Sequence, residues 1–146
     1  MNIENGINKN INNNINNTIN IFNNTNNYNI NNNNKKYYPQ LLNYIKMNIP
    51  LEDINKPNNN GNFILHWTCA NDLLDIFRYL VENGANINIV GANGYTPLHF
   101  AYANGNFTII DLLEKKGANQ YAKDKDGREP WQHLPLYLLG GSLDCF

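Results

Sequence analysis

Ile3, Ile7, Ile11, Ile15 and Ile19 recur every fourth residue, a spacing that would place them on one slowly drifting helical stripe. The residues between them are mostly asparagine, whose side chain competes for backbone hydrogen bonds and disfavours helix interiors. The expectation for residues 1–36 is therefore a disordered, low-complexity leader. From Pro39 to Met47 the pattern changes: Leu41, Leu42 and Ile45 form the apolar face of a short amphipathic helix. Further along, Thr96 and Pro97 suit the cap and first turn of another helix, with Leu98 and Ala101 three apart on one face. Gly105 interrupts the pattern as a turn. Phe107, Ile110 and Leu113 then continue an apolar stripe at helical spacing, and Gly117 is placed to end that helix in a left-handed conformation.

The chain repeats itself. Gly61, Gly94 and Gly127 are 33 and 33 residues apart. At the same offset Leu65 matches Leu98, His66 matches His99, Asn71 matches Asn104, Ile76 matches Ile109 and Leu80 matches Leu113. Gly84-Ala85-Asn86 matches Gly117-Ala118-Asn119. Most of these matches are not asparagine, so compositional bias does not produce them. The stretch from Asn93 through Gly94, Tyr95, Thr96, Pro97, Leu98, His99 and Phe100 to Ala101 resembles the ankyrin repeat signature, and the 33-residue period is the ankyrin length. Ile109 to Leu113, followed by Gly117-Ala118-Asn119, is similar to the second half of that repeat.

The resemblance implies an all-α fold, a short ankyrin-repeat solenoid of stacked helix-turn-helix pairs with projecting hairpin loops. It divides the chain into a leader (1–36), a degenerate N-terminal cap repeat (37–57), repeats at 58–90 and 91–123, and a degenerate C-terminal half repeat and tail (124–146). In the first full repeat Ile64 stands at the proline position and Asp72 at the inter-helix glycine position, while Trp67 stands where the second has Phe100. At the C-terminal end Pro130-Trp131 restarts the motif, Pro135 interrupts it, and Asp144-Cys145-Phe146 aligns with Asp111-Leu112-Leu113. Two full repeats with two half-caps meet the need for a continuous core only narrowly, so modest stability, or help from a partner, is expected.

Composition sharpens this division. Residues 1–34 hold 19 asparagines and the other 112 residues hold 15, which leaves a folded unit of about 110 residues and a modest core. Net charge is −1 with 16% charged residues, so no basic face is available to bind phosphate backbones. Lys35-Lys36 and Lys115-Lys116 are read as solvated surface. No nucleic-acid partner is expected. No membrane association is expected either, because no window approaches a membrane span and no signal segment opens the chain. Cys69 and Cys145 form no spacing motif. A cytoplasmic or nuclear protein follows.

Candidate chemistry is thin. His66 and Cys69 lie three apart on a helix, but a zinc site needs more ligands, and His99 and His133 do not supply a compact second pair. The resemblance gives His66 and His99 a structural role supporting the loops between repeats. Cys69 lacks the base and orienting group of a nucleophile, and no glycine motif cradles a phosphate. Asp111, Glu114, Asp124 and Asp126 read as solvent-facing, and Trp67, Phe100 and Trp131 as core-facing. No enzyme, metal or cofactor is expected.

The function implied is a protein-binding adaptor or scaffold using the concave ankyrin surface. The family's contact positions fall on Asn59, Asn60 and Asn62, on Ala92, Asn93, Tyr95, Ala103 and Asn104, and on Lys125, Asp126 and Arg128. Asn62, Tyr95 and Arg128 would form one ladder across the groove. The alternative is homotypic assembly through residues 1–34, since asparagine-rich tracts can self-associate through side-chain ladders. The ankyrin unit would then be a stabilising or regulatory appendage.

Overall fold

A computed structural model describes residues 38–140. The expected leader, its self-association and the Asp144–Phe146 alignment lie outside the described residues. Within them the secondary structure is helical, without strands. Helix α1 spans Tyr38–Asn48, α2 Ile64–Ala70, α3 Leu74–Glu82, α4 Pro97–Ala103 and α5 Phe107–Lys115. Short 3-10 turns cover Leu51–Asp53, Ala92–Gly94, Pro130–His133 and Leu136–Leu139. No described helix is long and apolar enough to cross a membrane.

The two helix pairs, α2 with α3 and α4 with α5, are copies of one unit, and α2 packs on α4. The 3-10 turn Pro130–His133 packs on α4 in its turn, so the third unit occupies the place of a first helix with a 3-10 turn, and no α-helix follows it among the described residues. Each pair bends at a residue with positive φ. Gly105 (φ 64°) serves in the second pair, and Asp72 takes the same left-handed conformation (φ 55°) in the first. The sequence departure at Asp72 thus changes the residue and keeps the turn, at the strain a non-glycine carries there.

The core follows the helical stripes. Leu41 and Ile45 from α1, Leu65 and Trp67 from α2, and Ile76, Phe77 and Leu80 from α3 join Leu98 and Ala101 from α4 and Ile109, Ile110 and Leu113 from α5. Three expectations fail. Phe107 is exposed, because burial of Ile109 beside Ile110 and Leu113 turns the inward face of α5 away from it. Trp131 stands in the register of the buried Leu65 and Leu98 yet is 58% exposed. Among the described residues the third unit has no second α-helix to lie over it. Asp124, read as solvent-facing, is buried; its carboxylate is surrounded by the groups that close the third hairpin.

Candidate functional site

The loops between the helix pairs are three equivalent hairpins. Each is closed by an equivalent backbone bond: Asn58 N–H to Asn62 O (2.7 Å), Gly91 N–H to Tyr95 O (2.8 Å) and Asp124 N–H to Arg128 O (2.9 Å). In the first, Asn58 Oδ1 accepts from the N–H groups of Asn60 and Asn62. In the third, Asp124 Oδ1 accepts from those of Asp126 and Arg128. The middle hairpin has Gly91 instead, because a Cβ there would lie 2.6 Å from Cε1 of His66. The tips are tied edge to edge, Ala92 N–H donating to Gly61 O (3.1 Å) and Lys125 N–H to Asn93 O (2.9 Å).

Two histidines brace this ledge from below. Phe63 N–H donates to His66 Nδ1 (3.3 Å) and Thr96 N–H to His99 Nδ1 (3.1 Å). Since a backbone N–H can only donate, each ring carries its proton on Nε2, which donates to Ile89 O (3.2 Å) in one case and Arg128 O (3.1 Å) in the other. Both imidazoles are neutral. Burial pushes His66 down to about 4, and burial also lowers His99. Their rings belong to a row running beneath the hairpins. Phe63 meets His66, His66 meets Phe100, Phe100 meets Tyr95, and Tyr95 meets both His99 and His133, at centroid distances of 5.2–5.7 Å.

The polar centre of the row is Asp124. Its Oδ2 accepts from His133 Nε2 (2.8 Å) and Arg128 Nε (3.3 Å), and Arg128 also reaches Asp126 (3.1 Å). Burial pushes the Asp124 carboxyl upward, but the Arg128 N–H, His133, the Asp126 N–H and the Arg128 charge outweigh it and hold the group down at about 2. His99, Asp124 and His133 bring possible metal-ligating atoms within 4.8 Å of one another, a grouping sequence spacing did not reveal. These atoms are already engaged within the protein. Nε2 of His99 is its protonated nitrogen, Nδ1 is occupied by Thr96 N–H, and the Arg128 guanidinium already neutralises Asp124.

A family model described as "Ankyrin repeats (3 copies)" matches residues 12–124. The chain belongs to the ankyrin repeat family. The match begins well before residue 37, where the repeat pattern was first legible. The chain is similar to the palmitoyltransferase Hip14 of Drosophila melanogaster, 37% identical over 76 residues, which cover 51% of this chain and 12% of that one. It is similar to the ankyrin repeat domain-containing protein SOWAHB of Xenopus laevis, 33% identical over 81 residues, 51% of this chain and 10% of that one. Ankyrin repeat protein OPG189 of Monkeypox virus is 32% identical over 106 residues, 71% of this chain and 18% of that one. The chain therefore aligns with less than a fifth of the length of each of these three relatives.

Within the ankyrin arrangement the expected contact residues divide. Asn59, Asn93, Ala103, Asn104, Lys125 and Asp126 are exposed, while Asn60 and Ala92 are half-buried. Asn62 is only 3% exposed and offers a partner almost no surface. Tyr95 is half-buried and packed against three rings. Arg128 is exposed but engaged by two carboxylates. The proposed ladder of Asn62, Tyr95 and Arg128 is thus a structural spine beneath the ledge more than a row of free contacts. Sequence reasoning also missed a pair of asparagine clamps. Asn55 donates to Gly84 O (2.9 Å) and accepts from Asn86 N–H (2.8 Å). One period later, Asn88 accepts from Asn119 N–H (2.7 Å).

Proposed function

We propose that the chain is a non-catalytic protein-binding module, an adaptor or scaffold, which takes its partner on the face formed by the hairpin tips and the exposed C-terminal end of α4. The observation that carries this reading is the ledge itself. Three hairpins are tied edge to edge, with Asn59, Asn93, Lys125 and Asp126 exposed along them and Ala103 and Asn104 exposed at the end of α4. A pre-ordered surface of this kind loses little conformational freedom on binding, and solenoids use such extended surfaces for recognition. The relatives support a portable module, since one matched stretch forms a small part of proteins with different names.

The non-catalytic half of the reading rests on how the reactive groups are used. The imidazoles of His66 and His99 hold the ledge through both nitrogens. Cys69 is fully buried, and burial pushes its thiol up, away from the nucleophilic thiolate. A photo-crosslinking amino acid placed at Ala103 or Asn93 should capture the partner covalently, and one placed at the exposed Arg78 of α3 should not. Capture from position 78 alone would place the partner on the second helices and end this reading.

A further inference from the structure

The two ends of the array present different surfaces. At the N-terminal side α1 exposes Gln40, Asn43, Lys46 and Asn48, with Met47 among them. At the C-terminal side Trp131, Leu136, Tyr137, Leu138 and Leu139 are all exposed, Tyr137 at 77% and Leu136 at 67%. They lie on the two 3-10 turns of the third unit, Pro130–His133 and Leu136–Leu139, which only Leu134 and Pro135 separate. The first turn packs on α4. The second passes close against the bend between α4 and α5, because a Cβ on Gly105 would collide with Cδ1 of Leu138. Phe107, two residues after Gly105, is exposed as well.

We propose that this apolar end is a self-association surface, on which a second copy of the chain docks its own C-terminal end. Terminal units of repeat arrays need a polar outer face to stay soluble; α1 provides one and the third unit does not. An exposed apolar patch of several hundred Å² marks an interaction site. From their fractional exposures, Phe107, Trp131 and Leu136–Leu139 offer roughly 700 Å² per copy, and a contact covering most of that on two copies reaches the total of about 1,200 Å² at which stable interfaces begin. The occupant is the like end of a second copy, because the polar α1 offers the patch no match. Such pairing is isologous and closes at two copies. It also sets residues near their own counterparts, an arrangement that like charges would oppose, and residues 130–140 contain no Asp, Glu, Lys or Arg. Trp131 already donates its Nε1–H to Glu129 (2.8 Å), so covering the ring leaves no donor unpaired. The proposal stands independently of the protein-binding reading above.

The test is sedimentation velocity of the full chain over a range of concentrations, beside Tyr137→Glu, Leu139→Glu and Met47→Glu. The expected result is a concentration-dependent shift from one chain to two and no further. An isologous interface holds each position twice, so either C-terminal variant places two carboxylates in apolar surroundings and should weaken the pairing by about tenfold or more. Both should keep the helical circular dichroism of the unmodified chain, since the replaced side chains are exposed. Met47→Glu, at the other end, should pair normally. A chain that stays single at every concentration would overturn the proposal, whether residues 141–146 or a different protein covers the patch. Pairing that survives both C-terminal variants runs through another segment, residues 1–34 included, and overturns it too. Growth beyond two copies would also overturn it, since like-to-like pairing closes.

Discussion

Acid should destabilise this domain through the histidines under its hairpins. His66 is fully buried, accepts from Phe63 N–H and donates to Ile89 O. A second proton on the ring would displace the Phe63 bond and place a charge in the core. Burial is the largest reason its pKa falls from 6.5 to about 4. The unfolded chain accepts a proton near pH 6.5 that the folded chain refuses until near pH 4. Stability from this residue is therefore complete above about pH 6.5, falls as pH drops toward 4, and is level below that. A depression of this size corresponds to ~3 kcal/mol, a large fraction of the 5–15 kcal/mol typical of a domain. His99, also lowered by burial, adds in the same direction. The Asp124 carboxylate, held at about 2, loses its contribution only in more acid solution, so the two windows separate. Urea melts followed by helical circular dichroism from neutral pH downward measure the slope. The control is His66→Gln, whose amide can accept and donate in the same places without titrating. It should be less stable at neutral pH and show a shallower decline. An unchanged midpoint between pH 7 and pH 4.5, or a full slope in the glutamine variant, would refute the assignment.

Other outcomes follow from the packing. Leu98→Ala should cost ~2–5 kcal/mol in the same melts, the range for a buried leucine that leaves a cavity; a loss below about 1 kcal/mol would mean the register of α4 is wrong. Asp124→Asn keeps the acceptor for the two hairpin N–H groups but can turn an NH2 toward Arg128 and His133. It should cost about 1–3 kcal/mol, whereas Asp126→Asn, at an exposed partner of Arg128, should cost under about 1 kcal/mol. Equal effects would contradict the buried role of Asp124. Tyr95→Ala should lower the melting temperature measurably, since the ring packs on His99, Phe100 and His133. A neutral result would return Tyr95 to the exposed groove.

The helical fold was legible because its signals are local and periodic. Apolar spacing marks the inward faces of α1 and α4 and, except at Phe107, of α5, and the matches at 33 residues multiply each weak signal by repetition. Hairpin glycines and the two histidines were legible for the same reason. What escaped depends on groups distant in sequence or on what does not follow. Asp124 is buried only because Arg128 and His133, four and nine residues onward, converge on it. Trp131 keeps the register of Leu98 but has no second α-helix over it among the described residues. Asn55 and Asn88 stand one period apart, but among 34 asparagines that match did not mark them as clamps, since their partners lie about 30 residues onward. Of the expected contact positions, Asn59, Asn93, Lys125 and Asp126 are exposed at the tips, whereas Asn62 is buried, because a position's place in the repeat does not reveal whether its side chain points outward.

The asparagine clamps also bear on how the array comes apart. Asn55 ties the segment after α1 to the loop after α3, and Asn88 ties that loop to the one after α5. One period further the register reaches Tyr121, which has no side-chain amide and is exposed. In a one-dimensional array, stability divides into what each unit contributes alone and what neighbours contribute to each other. The clamps belong to the second share and act only when both neighbours are folded. Losing Asn88 would therefore do more than lower the melting point. In an Asn88→Ala chain the middle of the array becomes its weakest joint, and the single sharp transition of the coupled units should broaden toward two, the portion nearer Tyr121 exchanging its amide protons first.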